Sequence, residues 1–235
     1  MPHTPYSCSH EHADICAGLD RIRRELDIPE AFPPAVVAEA VERANAGPVI
    51  PPESAATVIH DRTAIEFVTI DPPGSMDLDQ AFHGERIGQG WRVRYAIADV
   101  AAWVLPGGAI DHEARSRGLT MYSPDGRSPL HPPQLSEASA SLLPHADRQS
   151  LLWTIDVDDA GQIVDAVLER ALVRSRAQLS YRDAATEIAR GESPSLQALR
   201  EIGVRREALE VERGAVSLNL AQQEVVSVDH GYELL

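Results

Sequence analysis

Three aspartates, Asp71, Asp77 and Asp79, fall within one nine-residue stretch, Asp71-Pro-Pro-Gly-Ser-Met-Asp77-Leu-Asp79. Asp77 and Asp79 are two apart, so an extended backbone points both side chains the same way. The Pro-Pro-Gly turn can fold Asp71 back towards them. Carboxylates crowded in this way repel one another, and a hard cation relieves the repulsion. Oxygen-only donors, with no Cys or His beside them, favour Mg2+ or Mn2+ over Zn2+. The same spacing also suits a solvated, Asp-rich turn, since Asp favours turns for local hydrogen-bonding reasons.

The elements that must hold these residues can be read around them. Residues 65–70 are a β-rich run that Asp71-Pro72-Pro73-Gly74 ends in a turn. Residues 91–104, with Val93, Tyr95, Ile97 and Val100, predict a buried strand. Residues 151–157 and 163–173 flank Asp158-Asp159-Ala160-Gly161 and predict a β-hairpin. Upstream, Ile15, Leu19, Ile22 and Leu26 recur at helical spacing over residues 13–26. A second helix is expected over Pro34–Ala46, opened by Pro33-Pro34 and closed at Gly47. Residues 180–190 and 194–213 predict two more helices, the second with Ser193 as N-cap, and Val225–Val228 and residues 232–235 predict strands. The expected class is α+β: a mixed β-sheet with flanking helices. A helical segment spans 1–60, its first dozen residues disordered, and the sheet domain spans 61–235.

Composition narrows the function classes. Among 235 residues, 36 are acidic and 21 basic, a net charge of −15, and every basic residue is Arg. The lack of Lys alongside abundant Ala, Pro and Gly reads as coding bias. The acidic balance argues against a protein that simply coats a polyanion. No run approaches the roughly 20 apolar residues of a membrane span, so no membrane partner is expected. No basic n-region precedes an apolar h-region, and the expected location is cytoplasmic. The two cysteines supply no disulfide framework. Cys8, His10, His12 and Cys16 form a C-x-H-x-H-x3-C cluster whose spacing fits no common zinc finger, so it reads as an incidental His-rich terminus.

The context of the aspartates points further. Thr69-Ile-Asp-Pro-Pro-Gly-Ser-Met-Asp-Leu-Asp-Gln-Ala81 followed by Tyr95-Ala-Ile-Ala-Asp-Val100 resembles the catalytic domain of the ribonuclease II (RNB) family of exoribonucleases. The resemblance continues in order. Residues 106–118 match the family's next helix, Thr120-Met-Tyr-Ser-Pro124 its tyrosine-bearing loop, residues 130–144 its P…LS…SL.P stretch, and residues 173–181 its strand-to-helix junction. It covers roughly residues 63–235.

The resemblance implies 3′-to-5′ hydrolysis of single-stranded RNA to nucleoside 5′-monophosphates, using Mg2+ with Mn2+ as the substitute. Asp71, Asp77 and Asp79 would be catalytic metal ligands, with Asp79 the most critical. Two ions about 4 Å apart would activate a water and stabilise the leaving 3′-oxygen. Tyr122 would stack on the terminal base. Gln80 stands where the family most often has a fourth aspartate, which makes it an uncharged auxiliary ligand. The family's catalytic domain continues beyond the motifs present here, so the resemblance implies its first part only. The alternative reading is a non-catalytic RNA-binding or regulatory module derived from such a nuclease, or an inactive fragment. No DNA partner is expected, and oligomeric state is left open.

Other residues have weaker signals. Arg170, Arg174 and Arg176 are evenly spaced and share one strand face. Arg174 and Arg176 are candidate RNA-backbone contacts, and partners for the abundant carboxylates are the competing reading. Asp99 reads as structural, His83 and His131 as surface or packing residues, and Trp91, Trp103 and Trp153 as core.

Overall fold

Strand and helix segments assemble in an order the motifs foreshadow. The computed structural model describes residues 13–49, 58–123, 125–216, 225–228 and 231–234. Cys8, His10 and His12 lie outside the described residues. Helices α1 (Ala13–Glu25) and α2 (Pro34–Ala46) come first, followed by strands β1 (Ile59–Asp61), β2 (Phe67–Ile70), β3 (Gln80–Ile87) and β4 (Gly90–Ala98). Helix α3 (Ala109–Arg117) precedes a small hairpin, β5 (Met121–Ser123) with β6 (Gly126–Ser128). Strands β7 (Asp147–Val157) and β8 (Ile163–Leu179) lead to α4 (Tyr181–Arg190) and α5 (Pro194–Glu212), then to β9 (Val225–Val228) and β10 (Gly231–Leu234).

The long strand β8 organises the sheet. It pairs antiparallel with β7 along its first two thirds and parallel with β1 and then β2 on its other edge. Strand β2 continues antiparallel to β3, β3 to β4, and β4 to β7. The pairings β8-β2-β3-β4-β7 therefore return to β8 and close a ring. Closure satisfies backbone groups that open sheet edges would leave to solvent. The mixed α+β architecture agrees with the sequence expectation.

Alternation along the strands builds two apolar layers. Ala81, Ala96, Leu152, Ala171 and Val173 face one side and pack with Phe67, Leu78 and Leu142. On the other side, Trp91 and Val157 meet Ala198 and Ile202 of α5. Each fully buried large side chain contributes roughly 1.5–3 kcal/mol. Gly84 lets the helix sit close: a Cβ there would come within 2.8 Å of the Phe82 ring and 3.1 Å of Ala198 Cβ. Arg86 and Arg205 lie over the Trp91 ring at 4.4 and 4.6 Å, adding cation–π contacts to the seam.

A third cluster joins Val36 and Ala40 of α2 to Ala102, Trp103, Ile110 and Leu135. Residues of the expected N-terminal helical segment thus share a core with the sheet domain. The strand expected over 91–104 stops at Ala98. Asp99 turns inward to accept from Arg170 Nε at 2.9 Å, and a 3-10 turn then carries Trp103 into this third cluster. Trp91 and Trp103 are buried as expected, whereas Trp153 is 37% exposed on the β7 surface. Among the described residues, no helix is long and apolar enough to cross a membrane.

Candidate active site

The chain leaves β2 at Ile70, and the Asp71 N–H donates to the Leu179 carbonyl at 3.0 Å, keeping the turn aligned with β8. Pro72 to Ser75 form a tight turn closed by Ser75 N–H to Pro72 O at 3.1 Å. Gly74 has φ +83°, the left-handed value a type II turn requires at its third residue. The Gln178 side chain donates to Ser75 O at 2.8 Å.

Of the next four residues, Met76, Leu78 and Asp79 are each pinned through the backbone. Ser141 Oγ donates to Met76 O at 2.6 Å and accepts from Leu78 N–H at 3.0 Å. Leu142 N–H donates to Leu78 O, and Ala98 N–H donates to Asp79 O, at 2.7 and 2.8 Å. Leu78 is 0% exposed in the sheet core. With Leu78 driven inward, the two-residue period turns Asp77 and Asp79 together into a cleft. That cleft, about 410 Å³, is also lined by Asp71, Tyr122, Arg127, Glu137 and Tyr181.

The opposite wall comes from the β5–β6 hairpin and two flanking elements. Tyr122 and Arg127 are directly paired across the hairpin. Arg127 donates to Asp77 Oδ2 and, through its other terminal nitrogen, to Glu137 Oε1 at 2.9 Å. Glu137 sits on a π-helical turn, Leu135–Ser139, whose Leu135 is locked in the third core cluster. Tyr181 is the first residue of α4, whose start is fixed by a capping box between Ser180 and Asp183. Tyr122 is 60% exposed and Tyr181 53%, so both rings present surface at the cleft.

Electrostatics follow from this crowding. Burial, then the charges of Asp79 and Asp77, raise the Asp71 carboxyl to about 6. Burial and the Asp77 charge raise Asp79 as well. Among the described residues, no group of three or more His, Cys, Asp and Glu stands in metal-holding geometry. The donor chemistry nevertheless fits a hard divalent cation: three carboxylates share one cleft, and two of them resist ionisation there. Asp71, Asp77 and Asp79 are the residues that would hold it.

The remaining candidates go elsewhere. β3 begins at Gln80, so Gln80 faces away from Asp79, and its amide oxygen accepts from the Tyr95 hydroxyl. Gln80 lines a separate pocket with Tyr95, Phe82 and Leu199. Arg174 is held by both oxygens of Asp147 at 2.6 and 2.9 Å, and Arg176 donates to Thr63 O at 2.7 Å. Neither arginine lines the aspartate cleft. Arg127, Glu137 and Tyr181 were not singled out from sequence. Tyr181 had a usable signal, directly after a helix N-cap, but Arg127 and Glu137 reach the cleft only through tertiary folding.

The RNB domain family matches residues 59–233, which contain every aspartate of the cleft. The chain belongs to the RNB family. It is 32% identical over 166 residues to Ribonuclease R of Acidithiobacillus ferrooxidans, covering 71% of this chain and 37% of that protein. It is 38% identical over 127 residues to Exoribonuclease 2 of Haemophilus ducreyi, covering 52% and 19% respectively. Among solved structures it resembles Mycoplasma genitalium RNase R in complex with ribose-methylated single-stranded RNA. The TM-score is 0.72 at 28% identity, over 87% of this chain and 34% of that one. Yeast Ssd1, described as a pseudonuclease, matches at TM-score 0.60 and 18% identity over 74% of this chain and 22% of Ssd1, a likeness of fold alone. This RNB chain spans well under half the length of these relatives.

Proposed function

We propose that this RNB chain carries the metal-binding half of a 3′-to-5′ exoribonuclease site that hydrolyses single-stranded RNA to nucleoside 5′-monophosphates. The observation that carries this reading is the convergence of Asp71, Asp77 and Asp79 on one cleft walled by the exposed Tyr122 ring. A Mg2+ ion, with Mn2+ as substitute, supplies Lewis acidity to the attacking water and to the leaving 3′-oxygen when bound. The chain's own residues do the rest. The three carboxylates line one cleft and would supply acceptor oxygens to the ion there. Tyr122 stacks on the terminal base without reading its identity. Tyr181, on the α4 end of the cleft, offers a second ring. Arg174 and Arg176 are engaged by Asp147 and Thr63 outside the cleft, so as RNA-backbone contacts they would have to exchange those partners for phosphate.

The test is a time course on a 5′-labelled single-stranded RNA with the 235-residue chain, with and without Mg2+. Stepwise shortening from the 3′ end, abolished by chelator and by Asp79→Asn, is the expected result. Shortening that persists in Asp79→Asn contradicts the site assignment.

One observation favours a second reading, a non-catalytic RNA-binding module. Gln80 takes the fourth position of the acidic motif, is uncharged, and is engaged by Tyr95 on the far side of the strand. Fold alone does not decide chemistry. A folded chain that binds the RNA and leaves its length unchanged in Mg2+ supports this second reading.

A further inference from the structure

We propose that Arg127 is a built-in counter-ion for Asp77 which a divalent cation must displace, and that Glu137 is where the displaced guanidinium stays. This rests on the reading of Asp71, Asp77 and Asp79 as cation ligands. Arg127 is the single basic side chain lining the cleft among the described residues, against the carboxylates of Asp71, Asp77, Asp79 and Glu137. It uses separate nitrogens for its two partners, Nη1 for Asp77 and Nη2 for Glu137. One bond can therefore open while the other stays closed.

Several features suit an exchange of partners better than a permanent strut. The side chains of Arg127, Asp77 and Glu137 are 29%, 32% and 30% exposed, so water competes for each pair. A divalent cation has the same sign as the guanidinium and repels it from a shared carboxylate. Glu137 lies on a π-helical turn anchored by the buried Leu135, a fixed post for the moving arginine. Arg127 also pairs across the hairpin with Tyr122. Once Nη1 leaves Asp77, its N–H groups can donate to a phosphate beside a base stacked on that ring.

The test is Mn2+ binding to the full 235-residue chain, followed by the electron paramagnetic resonance signal of the unbound ion. Native protein is compared with Arg127→Ala, Glu137→Gln and the double variant. Arg127→Gln serves as a bulkier neutral replacement should the alanine variant fold poorly. Removing Arg127 is expected to tighten Mn2+ binding about three- to tenfold, on the scale of a half-exposed ion pair plus relieved cation repulsion. Glu137→Gln is expected to weaken binding in the native background, because Arg127 then rests on Asp77 alone. In the Arg127→Ala background the same change should have little effect. Unchanged or weaker Mn2+ binding on removing Arg127 overturns the proposal. So does an equal weakening by Glu137→Gln in both backgrounds, which makes Glu137 a simple through-space charge. Absence of Mn2+ binding in every variant instead overturns the underlying cation-site reading.

Discussion

Ser141 and Leu78 are joined by a 3.0 Å hydrogen bond from the Leu78 N–H to Ser141 Oγ, midway between the aspartates at 77 and 79. The same hydroxyl donates to Met76 O at 2.6 Å, so one side chain satisfies two backbone groups of the acidic loop. Ser141 is 1% exposed, and no solvent can take over these bonds. Ser141→Ala is expected to cost about 1–3 kcal/mol of stability, the penalty of buried unsatisfied groups. Urea unfolding measures it. The variant that remains folded should also bind Mn2+ more weakly, because Met76 and Leu78, the residues flanking Asp77, lose their shared anchor. Unchanged Mn2+ affinity in the folded variant contradicts the positioning role.

The acidic cluster makes stability depend on pH in a definite direction. Asp71 is raised from 3.8 to about 6 by burial and then by the charges of Asp79 and Asp77. Its folded form holds a proton more tightly than the unfolded chain does. Between about pH 4 and pH 6 the folded state therefore binds more protons, and this group's contribution to stability falls as pH rises through that window. Asp79 is shifted the same way and reinforces the trend. A divalent cation that neutralises the ionised carboxylates should reverse the loss. Thermal unfolding with and without MnCl2 is expected to show a large Mn2+-induced rise in Tm at pH 8 and a small one at pH 5. Equal rises at both values contradict the assignment of these carboxylates as ligands.

The N-terminal helix braces the wall that carries Tyr122. Arg23 on α1 grips both Asp125 oxygens at 2.6 and 2.9 Å and donates to Ser123 Oγ at 3.2 Å. The Asp125 side chain is only 9% exposed, which makes this bidentate pair stronger than a surface contact. Ser128 on the other strand of the hairpin donates to Pro29 O. Arg23→Ala is expected to loosen the hairpin and weaken single-stranded RNA binding several-fold, measured by fluorescence anisotropy. Mn2+ affinity should stay unchanged, because Ser141, Leu142 and Ala98 hold the aspartates independently. A parallel loss of both affinities makes Arg23 a general stability residue.

Much of this was legible in the sequence, and the reasons for the gaps are physical. Helix α2 has the expected bounds because Pro33-Pro34 and Gly47 punctuate it, and the β7–β8 hairpin follows from two apolar runs around a Gly-containing loop. The Asp77/Asp79 pair was readable because period two and a buried Leu78 are local properties. Strand β3 was missed because His83, Gly84, Glu85 and Arg86 look like a polar loop. Gly84 is instead demanded by the close seat of α5 on Phe82. The family motif implies Gln80 as an auxiliary ligand, yet β3 begins there and its amide oxygen accepts from the Tyr95 hydroxyl in a separate pocket. The engagements of Arg174 with Asp147 and Arg127 with Asp77 span 27 and 50 residues, beyond any local pattern.

The most direct test of the central claim is the anomalous diffraction of Mn2+ in crystals of the native chain grown in MnCl2. An anomalous peak is expected in the cleft within coordination distance of Asp71, Asp77 and Asp79, and it should vanish in Asp77→Ala crystals. A folded native chain with no peak at these carboxylates, or with its only peak elsewhere, contradicts the assignment of this cleft as the cation site.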